Sequence, residues 1–253
     1  MAQTNGAHAA RDVAHALTAL LADEPALAAL LPDGYTDRAA TYAGLLLEAN
    51  HRLNLTRVTE PGEVARLHLL DALAALPLLD AAGPATAIDL GSGGGVPGIP
   101  LAIARPDVQW TLVDSVRKKA DVLAAMVAAL GLRNATVVSD RAELLGRDAD
   151  HRERHDLVAA RACAPLPVLA ELALPLLAVG GMLVAWKGPL AAGDEELERG
   201  TAAVRELGGG APELLPAGPA ALGGHTFVVV HKDRPAPARY PRRPGEPSRR
   251  PVG

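Results

Sequence analysis

The chain has 253 residues, a net charge of −4 and 49% hydrophobic content, yet only six aromatic residues. No apolar run reaches about 18 residues free of charge, Pro or Gly, which excludes a predicted membrane span. Cys163 is the sole cysteine, which excludes an intramolecular disulfide and a cysteine zinc site. The N-terminus carries Asp12, Asp23 and Glu24 among alanines rather than a basic-then-apolar signal, so a cytoplasmic protein is expected. From Lys232 onward seven basic residues face only Asp233 and Glu246, a net +5 on an acidic chain. That asymmetry points to a polyanionic partner.

Residues 7 to about 31 are rich in alanine and leucine and predict one or two helices, broken near Pro25 and ended by Pro32-Asp33-Gly34. Thr36 or Asp37 is placed to cap the next helix, which carries Tyr42, Leu45, Leu46 and Ala49 at helical spacing. Asn50 through Arg57 reads as a polar, basic connector. Glu63 to about Leu79 is helical again, with Leu67, Leu70, Leu73 and Leu76 apolar. Residues 1–82 are therefore expected to form an N-terminal helical extension, with Ala82-Gly83-Pro84 as the joint.

The pattern then alternates. Strands are predicted at 86–90, 110–113, 135–138, 156–160, 182–186 and 226–231, with helices at 99–104, 116–130, 166–177 and 194–206. Gly131 is placed to end the second of these helices in a left-handed cap. Such alternation implies an α/β fold with a doubly wound, Rossmann-like sheet over residues 83–234, its ligand at the carboxyl ends of the strands. Residues 235–253 are rich in Pro and Arg without periodicity and predict an extended basic tail.

The chemistry centres on Asp89-Leu90-Gly91-Ser92-Gly93-Gly94-Gly95, a strand ending in an acidic residue and running into G-x-G-x-G. Glycine lacks a Cβ, so the turn can be tight and a ligand can touch backbone; Pro97 suits the start of the following helix. The free amides of that helix start favour an anionic group. Gly93 to Gly98 also satisfies the dinucleotide pattern G-x-G-x-x-G. Asp114, with Ser115 beside it, ends the second strand, where a carboxylate accepts both ribose hydroxyls of an adenosine ligand or caps the next helix. The loop from Ser139 to Glu143 lies beside the adenine in such a fold, or forms a capping box. Arg161 and Lys187 leave the fourth and fifth strands at the cleft; a buried arginine there needs a carboxylate or a ligand. No general base is assigned, and these two are the only catalytic candidates. Arg117, Lys118 and Lys119 oppose the dipole of the helix they open, which phosphate contact explains. His51, His68 and His225 have no metal-ligand spacing and are expected to be structural.

The chain resembles the small-subunit ribosomal RNA guanine-N7 methyltransferases, also known as the glucose-inhibited division protein B family. The resemblance rests on Asn54-Leu55-Thr56, His68 to Asp71, Asp89 to Leu101, Thr111 to Ser115 with Lys118-Lys119, Arg141 to Glu143, Arg161-Ala162, Lys187-Gly188 and the tail from Tyr240 to Pro247. It implies a class I S-adenosylmethionine-dependent methyltransferase acting on N7 of a guanosine in the decoding-region loop of 16S rRNA. It also implies cofactor contacts at Gly91, Val96, Ala142, Glu143 and Arg161, joining Gly93, Asp114 and Ser115. Arg117, Lys118, Lys119, Lys187, Arg242 and Arg243 are the expected RNA contacts, on a monomer acting on 16S rRNA or the small subunit. The rival readings are an NAD-dependent oxidoreductase, a small-molecule methyltransferase and a cofactor-binding RNA chaperone without turnover.

Overall fold

Thr86 to Leu90 alternates its side chains, and both faces find an apolar partner. Ala87 enters the core on one side of the sheet, Ile88 and Leu90 the core on the other. The computed structural model describes residues 2–188, 190 and 193–253. Its sheet has seven strands in the order β3-β2-β1-β4-β5-β7-β6. These are β1 (Thr86–Leu90), β2 (Gln109–Val113), β3 (Ala135–Val138), β4 (His155–Arg161), β5 (Leu177–Lys187), β6 (Glu213–Pro216) and β7 (Thr226–His231). Strands β1 to β5 are parallel, whereas β7 runs antiparallel to both β5 and β6. The order reverses between β1 and β4, and a crevice opens at the carboxyl ends there.

The N-terminal helices are α1 (Ala2–Ala22), α2 (Pro25–Ala28), α3 (Tyr35–Leu53), α4 (Pro61–Val64), α5 (Asp71–Leu73) and α6 (Leu76–Ala82), with a π-helical stretch at Ala65–Leu70. With α7 (Gly98–Ala104) and α8 (Arg117–Ala129) they cover one face of the sheet, sharing a core with Trp110, Leu112, Val184 and Phe227. On α3, Tyr35, Ala39, Tyr42, Ala43 and Leu46 are buried at the spacing of one helical face. The other face is covered by α9 (Ala142–Leu145), α10 (Leu166–Ala173) and α11 (Glu195–Glu206), packed on Ile88, Val158, Leu183 and Val228. The last helix, α12 (Glu246–Arg249), is a single turn.

Several local expectations need correction. Neither Thr36 nor Asp37 caps α3, which starts after Gly34 in a left-handed conformation. Asn50 to Leu53 is the last turn of α3 rather than a connector, and Asn54 (φ 47) ends it. Strand β6 was not foreseen: its four residues lie between glycine- and proline-rich stretches that mask the alternation, and its Pro216 is tolerated on an edge strand. Gly131 is left-handed (φ 61), as expected after α8.

The tail is packed, not extended. Tyr240 and Val252 are buried in the second core. Arg152 donates to the carbonyls of Tyr240 (2.8 Å) and Ala236 (3.0 Å), and Arg147 donates to that of Pro241 (2.7 Å). Arg242 meets Glu171, whose side chain is 0% exposed, through three side-chain contacts and its own amide. Lys232, counted with the basic tail from the sequence, is 1% exposed and donates to Glu153 and the carbonyl of Leu174. The cationic surplus is thus largely spent on holding the tail to the body.

Candidate active site

The glycine loop takes the conformations its residues allow. Gly91, Gly93 and Gly95 have φ of 73, 56 and 98°, all left-handed. A Cβ on Gly91 would lie 3.2 Å from Cys163 Sγ, so the space above the loop closes with one added carbon. Val96 is buried in the core beneath the loop.

Asp89, next to last in β1, is fully buried. Its Oδ2 accepts from the Ser92 hydroxyl (2.8 Å) and from the Gly98 amide (3.0 Å), while Oδ1 has no hydrogen-bond partner among the described residues. The start of α7 is therefore already addressed by a carboxylate, which corrects the expectation of free amides awaiting an anion. Burial raises the Asp89 carboxyl to about 6, against the lowering effect of the Ser92 and Gly98 hydrogen bonds. Asp114 ties the second strand to the loop: Oδ2 accepts from Gly93 N–H (3.0 Å) and Oδ1 from Val116 N–H (2.8 Å). Each carboxylate oxygen retains a second lone pair for a ribose hydroxyl. Asp114 is not the helix cap, since Val116 holds that position. Ser115 is exposed beside it.

In the third loop, Glu143 is 3% exposed and does not point free at a ligand. Arg141 pairs with it at 2.9 Å, and the amide of Gly245 in the tail donates to it at 2.8 Å. Burial works to raise this carboxyl, but Arg141 and the Gly245 amide outweigh it and the net shift is downward. No capping box forms there, because Arg141 occupies the cap position without a side-chain bond. Ala142 is half-buried.

Arg161, at the end of β4, finds its carboxylate in the N-terminal helices. It pairs with Asp71 (3.1 Å), donates to the Leu67 carbonyl and lies 3.1 Å from His68 Nδ1. His68 Nε2 is 2.8 Å from the Thr56 hydroxyl, and Thr56 N–H donates to Asn50 Oδ1 (2.8 Å). The other oxygen of Asp71 meets His225 Nδ1 at 2.9 Å, and Trp186 donates to the Asp71 carbonyl. Burial and the adjacent guanidinium push His68 down to about 4, so it is neutral at pH 7. His68 and His225 both bond to fold partners, as a structural role requires, and those partners place them in the cleft network. The strained backbone falls here too, with Ala162 at φ 51.

Beyond this network lies a cavity of about 300 Å³, lined by Asp71, Arg161, Cys163, Trp186, Lys187 and His225 among others. Lys187 donates to Glu196 (2.6 Å) and to the Ala164 carbonyl (3.0 Å), so it is held inward rather than offered to a phosphate. Arg242 is likewise withdrawn by Glu171. Arg117 is exposed and 3.7 Å from Asp121; Lys118 is exposed, Lys119 half-buried, and neither forms an ion pair among the described residues. Arg243 is exposed on the tail. Sequence reasoning did not foresee the Asp71–His225 pair, whose members stand 154 residues apart and share no local pattern.

A family model described as "GidB: rRNA small subunit methyltransferase G" matches residues 36–208. The chain belongs to this family. It is 45% identical to the "Ribosomal RNA small subunit methyltransferase G" of Deinococcus radiodurans over 219 residues, 86% of each chain. It is 44% identical to the protein of that name from Roseiflexus castenholzii, covering 85% of this chain and 91% of the relative. Among solved structures it resembles the O-methyltransferase TomG from Streptomyces achromogenes in complex with SAM (TM-score 0.51, 18% identity, 76% and 90% covered). It also resembles the S-adenosylmethionine-dependent methyltransferase SibL (TM-score 0.52, 19% identity, 78% and 70% covered). These two likenesses bear on the fold, the class I methyltransferase sheet. The cofactor of this family is S-adenosylmethionine, and the Gly91 cradle, the unpartnered Asp89 Oδ1 and the spare lone pairs of Asp114 fit it.

Proposed function

We propose that this protein transfers the methyl group of S-adenosylmethionine to N7 of one guanosine in the decoding-region loop of 16S rRNA, working as a monomer in the cytoplasm. The observation that carries the reading is the Asp89 carboxylate on the Gly98 amide. A pyrophosphate needs that helix start bare, and an anion already sits there, so the dinucleotide reading of Gly93 to Gly98 loses its site.

Gly91, Gly93, Asp114 and the loop reaching Ala142 would hold the cofactor, Gly91 and Gly93 by backbone and Asp114 through its remaining lone pairs. When bound, S-adenosylmethionine supplies an electrophilic methyl on a sulfonium. The acceptor asks little of the protein in acid–base terms, because guanine N7 carries a lone pair at neutral pH and no proton has to leave before attack. The cleft matches that demand: Arg161 is paired with Asp71, Lys187 with Glu196, and His68 is neutral. What remains is orientation, which by itself lowers a barrier by several kcal/mol. Asp71 is placed to offset part of the positive charge that appears on the base.

A cavity of this size receives one unstacked base, so the substrate is read as a single-stranded loop with its guanosine turned out. Arg117, Lys118, Lys119 and Arg243 are the phosphate contacts in this reading; Arg242 holds structure, and Lys187, drawn in by Glu196, is not a phosphate contact. The test offers radiolabelled S-adenosylmethionine with naked 16S rRNA and with small subunits from a strain lacking the enzyme, then maps label by cleavage at N7-methylguanine. One labelled N7 position is expected. Label on small molecules only, or on no RNA, would remove the proposal.

A further inference from the structure

Two polar groups on the cavity wall remain once cofactor and phosphate contacts are assigned. His225 stands one residue before β7, and Lys187 ends β5 opposite Thr226, so both lie at the same end of the sheet. His225 Nδ1 is 2.9 Å from Asp71 Oδ1, and a carboxylate oxygen only accepts, so Nδ1 carries the hydrogen. A neutral imidazole with Nδ1–H keeps its lone pair on Nε2. The His225 side chain is 30% exposed, and it lines the cavity. Lys187 has given hydrogens to Glu196 and Ala164, leaving one of its three donors. Both residues line the one cavity, which thus offers one acceptor and one donor.

Guanine has the complementary edge. With N7 turned toward the methyl donor, it presents O6 as acceptor and N1–H with the 2-amino group as donors. Adenine reverses this, with a donor at position 6 and an acceptor at N1. We propose that His225, oriented by Asp71, is the residue that reads guanine in the pocket: Nε2 accepts the N1–H while the remaining Lys187 hydrogen goes to O6. This rests on the guanine N7 reading above. It assigns Asp71 a positioning role, since Asp71 acts on the base edge through the tautomer of His225.

Two measurements test it. Nitrogen-15 NMR of the wild-type protein at pH 8 should show His225 with Nδ1 protonated and Nε2 bare; the opposite tautomer or an imidazolium overturns the proposal before RNA is added. Small subunits are then reconstituted with guanosine or 2-aminopurine at the target, the latter keeping N7 and the 2-amino group but lacking N1–H and O6. His225→Phe should lose about tenfold in kcat/KM on guanosine and about the same factor in preference for guanosine over 2-aminopurine, with cofactor affinity unchanged. The difference in reactivity between the two bases cancels in that comparison. Equal preference in wild type and variant overturns the assignment of His225 while leaving the reaction class intact. No methylation of any RNA by the wild type refutes the reaction class, and this proposal with it.

Discussion

The hydroxyl of Tyr42 donates to the carbonyl of Gly94 at 2.9 Å, fully buried, and so fastens helix α3 to the cofactor loop. Leu46, one turn on, fills the space against Gly94 where a Cβ would sit 2.6 Å from its Cδ1. The N-terminal helices therefore shape the loop as well as covering the sheet. Tyr42→Phe keeps the packing and removes the donor, stranding a buried carbonyl. We expect a loss of about 1–3 kcal/mol in stability and weaker cofactor binding, read by denaturant unfolding and calorimetric titration. Unchanged cofactor affinity would mean that the loop holds its shape without α3.

The tail should respond to loss of one ion pair. Glu171 is wholly buried, and removing Arg242 leaves its charge uncompensated. Arg242→Ala should cost about 3–5 kcal/mol, whereas Glu171→Leu with Arg242→Met, which removes both charges, should cost much less. Urea unfolding gives the comparison, and protease cleavage near residue 240 should accelerate in the single variant only. Equal losses in both would show that shape rather than charge holds the tail.

The α/β class and six of the seven strands were legible because buried strands read as short apolar runs, and helices as longer periodic ones; the strand order and the antiparallel β7 were not. The cofactor loop was legible because Asp89, Gly91 and Gly93 are neighbours in sequence and act locally. The cleft network was not, because Asn50, the His68–Asp71 stretch, Arg161 and His225 come from four separate segments and meet only when the sheet is wound. Arg242 and Lys187 show the complementary failure. A cation at a strand end or in a basic tail looks free until its carboxylate, Glu196 or Glu171, arrives from a helix.

The glycines on either side of β1 are not equivalent, and substitution should separate them. A Cβ on Gly98 would sit 2.6 Å from Asp89 Oδ2 and also overlap Leu112, both buried. Gly98→Ala should therefore abolish cofactor binding or folding. Gly83 is left-handed (φ 59) but opens on empty space, so Gly83→Ala should cost only about 1 kcal/mol and leave methylation intact. Thermal unfolding and cofactor titration on the pair decide this; a functional Gly98→Ala enzyme would mean that Asp89 is not fixed on that helix start.

Stability should fall as the medium is acidified below neutrality, and the sign follows from three buried groups. Burial lowers His68 and His155 from 6.5 to about 4, with the neighbouring Arg161 and His151 adding to it respectively. Between those values the unfolded chain holds a proton on each histidine that the folded one lacks, so acid favours unfolding. Burial raises Asp89 from 3.8 to about 6, so between those values the folded chain holds one proton more, and acid favours folding. Near pH 5 the two histidines outweigh the single carboxyl by about one proton, a loss of roughly 1.4 kcal/mol per pH unit. Urea midpoints at pH 7, 6 and 5 measure it. His155→Gln, far from the cleft at the start of β4, should bring the pH 6 to 5 slope close to zero, because one histidine then balances Asp89. A wild-type protein whose stability held constant or rose across that interval would mean that the two histidines take up protons without unfolding.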